Sequence, residues 1–504
     1  MLSCRGDDQR RSSSAAQAVA QDLVVAAGAD ESGLRLNRQR LGMYPLNAMI
    51  CETLVRLTPD FQVEPWLATS WVYRGDNTYR FSLRRGVRFH DGSPFNAMAV
   101  KYSIDASVTA KTQYSFLSAG SVRVIDDSTV DIKPSLSNLR ILEQLVHPTY
   151  AIVALGSDPT VRPVCTGPFE FKEYAPQRHL SVERNDSYWG EKARLERLTF
   201  RFIPDENTRA LALRSGEVDA IFDVGRNMVA GLKATKGIRI VTSVPGSTLL
   251  IYMATRGVPP YDHLTDPLVR KAVAMAINRT VLVDRVLDGY ATRVSTVNPP
   301  KVLGPYAAAV RGAPYDPRGA ERLLDSAGWK RGAGGGREKN GRPLELVMIV
   351  QSGPVDPAIA EYVQAELRAV GMGMRIDRLD AAGFDSRINR GEFDLDIELP
   401  NQNDANPAFL LSVRWYSPSN VRSARFMLAG RRFDSLVTGA LSSPDHGETQ
   451  RLASEAMHVL VDEEVAAIPL AGIYRIYAMT ERVRGFAAHP SRLNQRWDTV
   501  WLAR

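Results

Sequence analysis

The sequence predicts a protein of mixed α/β class that is built from several domains. Strand patterns and helix patterns follow one another along the whole chain, which is typical of this class. In one strand pattern, Tyr79, Phe81 and Leu83 alternate with polar residues. In two helix patterns, Asp266 and Asp316 each precede a proline, the favoured order of N-cap and first helical residue. The length of 504 residues corresponds to roughly three domains.

The same criteria predict the other elements in chain order. Apolar runs or alternation predict strands at Leu23–Ala26, Thr78–Leu83, Val87–His90 and Thr129–Ile132, a strand pair between Phe169 and Val182, and strands at Val218–Phe222, Leu344–Val350 and Met374–Ile376. Caps, apolar periodicity and terminal glycines predict helices at Asn96–Val108, Asn207–Arg214, Pro267–Ile277 with a second helix to Leu287, Pro317 to Gly328, Pro357–Val370 and Glu448–Glu464. Residues 1–20 are predicted to be disordered, and residues 330–336 to form a flexible loop.

The composition excludes several classes of protein. Hydrophobic residues make up 44% and charged residues 24% of the chain, which is ordinary for a globular protein. No apolar stretch reaches the about 18 residues that a transmembrane helix needs. The net charge of +7 is mild, and the basic clusters are short and lack interleaved aromatic residues. A nucleic-acid groove is therefore not indicated.

The motifs of common enzyme classes are absent from the sequence. There is no Walker-type phosphate loop, no HExxH zinc motif and no GxSxG nucleophile elbow. The seven histidines are scattered, without a pair of metal ligands four residues apart. The sequence therefore predicts no catalytic residue, no cofactor and no metal site, although catalytic groups far apart in sequence would escape this search.

The three cysteines are Cys4, Cys51 and Cys165. Because their number is odd and no two are closely spaced, neither a disulfide framework nor a zinc site is expected. Cys51 lies in an apolar run and is predicted to be a small core residue. Cys4 precedes a polar, serine-rich stretch that is typical of a tether.

The segment Leu2-Ser3-Cys4 resembles the end of a bacterial lipoprotein signal peptide. Cys4 is therefore a candidate for lipidation. The apolar region of such a peptide is missing, which a translation start placed too far downstream would explain. The alternative is an exposed cysteine without a role. From these residues alone, an intact signal peptide is not expected.

Five groups of residues, in this order along the chain, together resemble one protein family. They are Glu64–Trp71 with Tyr79–Phe95, Thr166–Phe169 with Arg184–Gly190, Ser215–Asp219, Val269–Ala272 with Ala276–Arg279, and Tyr315–Pro317 with Ala320–Leu324 and Ala327–Trp329. On these motifs the chain is similar to the family 5 extracytoplasmic solute-binding proteins of ABC importers, of the oligopeptide-, dipeptide- and nickel-binding type. The motifs indicate the scaffold and not the ligand.

The resemblance implies a two-lobed, periplasmic-binding-protein-like fold, type II and cluster C-like, with an extra inserted domain. Domain I would comprise residues 20–45, 164–255 and 479–504, domain II residues 46–163, and domain III residues 256–478. Domains I and II would form one lobe and domain III the other. The solute would be captured between lobes that close by hinge motion.

The resemblance also places candidate ligand contacts in the loop that follows Phe393–Glu398. Asp404 matches the aspartate that pairs with the α-ammonium group in peptide binders, although Pro407 is one residue closer than in some members. The alternative is an aspartate that satisfies local backbone N–H groups. Asn401 and Asn403 would add side-chain hydrogen bonds.

Further candidate contacts lie before and after this loop. Arg414 could pair with a solute carboxylate, and Trp415 and Tyr416 could cover an apolar face of the solute. The alternative is a helix end that packs into domain III. Tyr44 and Asn47 lie on an early loop that often reaches the cleft in the family.

The resemblance implies a non-enzymatic, extracytoplasmic protein, either periplasmic or anchored to the cell surface through Cys4. As a monomer, it would deliver a peptide or a similar amphipathic organic solute to a membrane permease. Binding of a nickel chelate is an alternative, ranked lower because Tyr150 and Ala151 stand where nickel-binding relatives often have arginine. A sensor or regulatory protein on the same scaffold is another alternative, and a hydrolase is a third.

Overall fold

The structure is a computed structural model that describes residues 20–28, 49–109, 117–118, 120–134, 141–147, 150–158, 161–352, 355–400, 405–418 and 426–504. The strands are β1 Asp22–Ala27, β2 Val55–Leu57, β3 Val63–Pro65, β4 Ala68–Tyr73, β5 Tyr79–Leu83, β6 Val122–Asp126, β7 Thr129–Ile132, β8 Phe169–Ala175, β9 His179–Arg184, β10 Arg197–Phe202, β11 Ala220–Ile221, β12 Ile238–Thr242, β13 Ser247–Met253, β14 Ala291–Thr292, β15 Lys330–Arg331, β16 Arg337–Lys339, β17 Arg342–Pro343, β18 Glu345–Gln351, β19 Gly373–Leu379, β20 Leu395–Glu398, β21 Ala467–Ile473, β22 Ile476–Thr480, β23 Val483–Arg484 and β24 Trp501–Leu502. The α-helices are α1 Ala97–Thr109, α2 Ile141–Leu145, α3 Glu206–Ser215, α4 Arg226–Lys233, α5 Pro267–Ala276, α6 Arg279–Val281, α7 Pro300–Leu303, α8 Pro317–Ser326, α9 Pro357–Ala369, α10 Ala381–Arg390, α11 Phe409–Arg414, α12 Arg431–Ser442 and α13 His446–His458. Helices and strands alternate along the chain, which confirms the predicted class.

A seven-stranded sheet forms the centre of domain I, in the order β12-β22-β11-β1-β10-β9-β8. Strand β1 pairs in parallel with β10 and β11. Leu23 and Val25 belong to the core on one face of the sheet, and Ala26 belongs to the core under α3 and α4 on the other. Burial on both faces explains why β1 reads as a continuous apolar run.

A smaller antiparallel sheet, β4-β5-β7-β6, forms domain II together with α1. Tyr79, Phe81 and Leu83 all face its core, as their alternation predicts. The opposite face of the sheet is more exposed, so the core of domain II lies on one face of this sheet. None of its described strands pairs with the seven-stranded sheet.

A disulfide joins Cys51 to Cys165, and the expectation of no disulfide is therefore wrong. These cysteines lie 114 residues apart and flank the segment that forms domain II. The two chain segments approach closely beside the bond, because a Cβ on Gly167 would lie 2.2 Å from the carbonyl oxygen of Met49. An odd cysteine count leaves one thiol over, but it does not prevent the other two from pairing.

The third large sheet forms the centre of the part of the structure that we call domain III. It has six strands, in the order β14-β21-β13-β20-β18-β19. Helices α5, α8 and α9 contribute to the core on one face, and α10 to α13 contribute to the core on the other. Consecutive residues of β13 and β20 therefore point into different cores. All seven residues of β13 are buried.

Two short segments, 243–246 and 474–475, connect the seven-stranded and six-stranded sheets. They lie side by side: the N–H of Ser243 donates to the carbonyl oxygen of Arg475 at 3.0 Å, and the N–H of Arg475 donates to Ser243 Oγ at 3.0 Å. Adjacent crossovers of this kind can act as a hinge between two lobes. The proposed boundaries of the three domains stay a prediction.

Most predicted elements are present, and the capping pattern is confirmed. The side chains of Asp266, Asp316 and Asp356 each accept a hydrogen bond from a first-turn N–H, and a proline follows each of them. The predicted disorder of residues 1–20 falls almost entirely on residues outside the described part of the chain. No helix in the described ranges is long and apolar enough to cross a membrane.

Three local predictions are wrong. The strand at 87–90 is absent, because the turn at Asp91-Gly92 leaves only a single bridge between Arg88 and Pro94. The strand at 218–222 shortens to β11. The predicted loop 330–336 begins as β15, which pairs with β16, and the buried Arg337 anchors this hairpin by donating to the carbonyl oxygen of Val370 at 2.8 Å.

Candidate functional site

The candidate site lies where the segment after β20 passes between the two lobes. Ala405 is 1% exposed and belongs to the core of domain II, whereas Ala408 belongs to a core of the six-stranded sheet. Segment 405–408 thus contacts both lobes. Six of the predicted site residues lie outside the described residues, and they are Cys4, Tyr44, Asn47, Asn401, Asn403 and Asp404.

Two buried asparagines hold the backbone of residues 407 and 408, directly before α11. The Oδ1 atom of Asn406 accepts a hydrogen bond from the N–H of Ala408 at 2.9 Å. The Nδ2 atom of Asn298 donates to the carbonyl oxygen of Pro407 at 2.7 Å. Both asparagines are fully buried, so these bonds are shielded from water. Sequence reasoning missed Asn298 because 109 residues separate it from its partner.

Arg414, at the end of α11, pairs with Glu398, the last residue of β20. The distance from Arg414 Nη2 to Glu398 Oε2 is 2.7 Å, and the two side chains are 23% and 16% exposed. The guanidinium carbon of Arg414 also lies 5.2 Å from the ring centroid of Tyr252. A solute carboxylate would therefore meet an arginine whose charge is already balanced by a partner inside the protein. The role of Arg414 in ligand binding stays a prediction.

Trp415 and Tyr416, which follow Arg414 in the chain, pack against a core of domain III. Trp415 is fully buried and stacks on Tyr252, with ring centroids 5.1 Å apart and an interplanar angle of 16°. Tyr416 is half-buried, and its hydroxyl lies 2.9 Å from Thr438 Oγ1. This arrangement matches the alternative in which the helix end packs into domain III. Contact of either ring with a solute stays a prediction.

Asp396, beside this cluster, is a buried acid that sequence reasoning did not select. It lies opposite Tyr252 in the β13–β20 pairing and is 0% exposed. Neither carboxyl oxygen has a hydrogen-bond partner in the described structure. Burial, and then the charge of Glu398, raise the pKa of Asp396 well above its usual range, because both disfavour the charged form of its carboxyl group. The sequence clue was the alternation of Asp394, Asp396 and Glu398 with apolar residues.

The two lobes are in contact, and ion pairs join them at two separate places. Arg226 of α4 pairs with Asp356 at the start of α9 at 2.7 Å. Lys301 of α7 pairs with Asp60 of domain II. A groove of about 400 Å³, bordered by both residues of this second pair, runs along the same boundary.

The chemistry of the described residues suits binding more than catalysis. Beside segment 405–408 they include the partly exposed pair of Arg414 and Glu398 and the half-buried ring of Tyr416, which are groups that can hydrogen-bond or cover a polar organic solute. Among the residues that the structure describes, no group of three or more His, Cys, Asp and Glu is placed to hold a metal ion.

Solved structures and characterised proteins resemble this chain over nearly its full length. NikA from Brucella suis in complex with Fe(III)-EDTA has a TM-score of 0.85 and 26% identity, covering 96% of this chain and 100% of the other. DppA from Helicobacter pylori in complex with the peptide STSA has a TM-score of 0.76 and 25% identity, covering 96% and 98%. These similarities confirm the two-lobed periplasmic-binding-protein fold.

Sequence comparison gives the same result. The nickel-binding periplasmic protein of Escherichia coli is 27% identical over 439 residues, which cover 83% of each chain. The glutathione-binding protein GsiB of Salmonella choleraesuis is 27% identical over 500 residues, covering 94% of this chain and 93% of the relative. Residues 62–421 match the family described as bacterial extracellular solute-binding proteins, family 5. The non-enzymatic, extracytoplasmic character expected from the motifs is confirmed, since the chain belongs to the family 5 bacterial extracellular solute-binding proteins.

Proposed function

We propose that this protein captures a peptide, or a similar amphipathic organic solute, between its lobes and delivers it to the membrane permease of an ABC importer. The observation that carries the proposal is the match to the glutathione-binding protein over 94% of this chain. Glutathione is itself a tripeptide. The similarity to DppA in complex with a peptide supports the same class of solute.

The proposed recognition chemistry depends on Asp404, which would pair with the α-ammonium group of the solute. A charge-assisted hydrogen bond of this kind contributes about 1.5–3 kcal/mol. Glu398 already balances the charge of Arg414. We therefore expect recognition of the amino end of the solute to contribute more to affinity than recognition of its carboxylate.

A nickel chelate is the second candidate solute, and two relatives favour it: the nickel-binding protein of Escherichia coli and NikA in complex with Fe(III)-EDTA. Because the described residues form no cluster of metal ligands, the metal would have to arrive already chelated. The protein would then hold the chelator through hydrogen bonds, as it would hold any other organic solute.

Native mass spectrometry of the freshly purified full chain separates these candidates. The bound material is released by denaturation and identified. A series of small peptides supports the proposal, whereas a single metal chelate overturns it in favour of nickel import. If the protein emerges empty, calorimetric titrations with trialanine, glutathione and nickel–histidine decide, and binding of the nickel complex alone refutes the peptide proposal.

Asp404→Asn then tests the proposed contact. We expect affinity for trialanine to fall at least tenfold, since the ammonium group loses its counter-ion. Asp385→Asn is the matched control, because Asp385 is an exposed aspartate on α10. An unchanged affinity in Asp404→Asn would show that the aspartate only satisfies local backbone groups.

We also propose that Cys4 is lipidated and that the protein is a monomer. A single acyl chain anchors only marginally, so a stable anchor needs the several chains of a processed lipoprotein. Mass spectrometry of the N-terminal peptide, with Cys4→Ser as the comparison, tests the lipid. Size-exclusion chromatography with light scattering tests the monomer.

A further inference from the structure

The short helix α7 lies across the boundary between the lobes. Val302 is 2% exposed and belongs to the core of domain II, whereas the next residue, Leu303, is fully buried in a core of domain III. Gln450 of α13 donates to the carbonyl oxygen of Val302 at 3.0 Å. The backbone of α7 is thus held by domain III while one of its side chains is buried in the opposite lobe.

A second, separate segment makes the same kind of contact. Ala405 lies in the core of domain II and Ala408 in a core of domain III, three residues apart. Apolar side chains of the domain III lobe therefore complete the core of domain II at two places. Opening of the lobes would expose Val302 and Ala405 to water, which costs free energy in proportion to the apolar area exposed.

Ion pairs across the boundary add a smaller contribution. Lys301, next to Val302, pairs with Asp60, and these side chains are 49% and 68% exposed. Pairs this exposed contribute little and are weakened by salt. Arg226 and Asp356 form a second pair elsewhere on the boundary. His446 of α13 and Glu143 of α2 form a third pair, with 3.6 Å between Nδ1 and Oε1. We take the apolar contact of Val302 as the main contribution, because salt weakens ion pairs and does not weaken this contact.

We propose that these contacts hold the lobes closed without a solute, so that Val302 sets the closed fraction of the free protein and, through it, tunes affinity and the rate of association. The proposal rests on the proposed function only in requiring lobes that close. Apparent affinity scales with the closed fraction of the free protein, so a tenfold lower closed-to-open ratio weakens binding only about twofold when the ratio starts near ten. Solute enters only while the lobes are open, so the same loss makes association faster.

Single-molecule energy transfer on the full chain measures the closed fraction directly. Dyes are attached at Met98→Cys in domain II and Tyr315→Cys in domain III, both 49% exposed, in a Cys4→Ser background. Bound solute is removed by partial unfolding and dialysis, and native mass spectrometry verifies its absence. We expect one predominant closed population for the otherwise unchanged chain.

Val302→Ala should lower the closed-to-open ratio about tenfold, because two carbon atoms no longer gain from burial on closing. Lys301→Ala should lower it by up to about fivefold and only at low salt. Val437→Ala is the control for Val302→Ala, because Val437 is a buried valine within domain III. Arg432→Ala is the control for Lys301→Ala, because Arg432 forms an ion pair with Glu463 inside the same domain. Neither control should change the ratio.

A chain that is already mostly open without solute overturns the proposal. So does a Val302→Ala protein with an unchanged closed fraction. If that variant does not fold, Ala405→Gly, which removes the second apolar contact of the domain III lobe with the core of domain II, decides in the same way. No solute is present in the measurement, so its result stands whether the proposed peptide ligand is right or wrong.

Discussion

Replacing both Cys51 and Cys165 by alanine opens the 114-residue loop that closes at the base of domain II. In the loop-entropy relation, a cross-link of this span removes about 5 kcal/mol of conformational freedom from the unfolded chain. The double variant should be less stable by about that amount. At about 2.1 cal/mol/K per residue, the melting temperature falls by about 5 °C if all 504 residues unfold together.

Differential scanning calorimetry of the full chain, with and without reductant, measures this effect. The original protein in reductant should melt like the double variant, and Cys4→Ala should melt like the original protein without reductant. If the lobes unfold separately, only the melting temperature of the lobe formed by domains I and II should fall. It should fall by more than about 5 °C, because fewer residues unfold together. Identical melting of the double variant and the original protein would refute the reasoning, as would three reactive thiols in the unreduced, unfolded chain.

Two further predictions concern pH. Burial raises the pKa of Asp396 well above its usual range, so the folded protein keeps a proton that the unfolded chain releases above about pH 4. Between the pKa of the unfolded chain and that of the folded protein, the free energy of unfolding falls by up to about 1.4 kcal/mol per pH unit as the pH rises. Asp396→Asn should flatten this decline in melting temperature as the pH rises from about 5, and parallel profiles of the variant and the original protein would contradict it. Burial lowers the pKa of His489 to about 4, below its ordinary 6.5. Its contribution to the free energy of unfolding is therefore complete above pH 6.5 and is lost as the pH falls to 4. His489→Gln should remove up to about 3 kcal/mol of that acid sensitivity in denaturant titrations, and an unchanged acid profile would refute the assignment.

Features that depend on near neighbours could be predicted from the sequence. The capping aspartates Asp266, Asp316 and Asp356 bond to groups two or three residues away. The core strand with Tyr79 and Phe81 needs only the alternation of strand residues. In both cases the physical determinants lie within one window of sequence, and the structure agrees.

Features that depend on distant partners could not be predicted in this way. Cys51 reads as an ordinary core residue until the fold brings Cys165 beside it. Asn298 becomes informative only once it donates to Pro407, and Val302 only once domain II surrounds it. Of the candidate site, sequence reasoning selected Arg414, but its carboxylate partner is visible only in three dimensions.

The adjacent crossovers at 243–246 and 474–475 also bear on how such proteins diversify. Residues 247–473 leave and rejoin the seven-stranded sheet at neighbouring points, where Ser243 and Arg475 are hydrogen-bonded to each other. A segment whose ends meet can be inserted or exchanged without rethreading the host. One half of the cleft can therefore be inherited as a single segment with two junctions, so that a family member can acquire a new solute while its other lobe is unchanged.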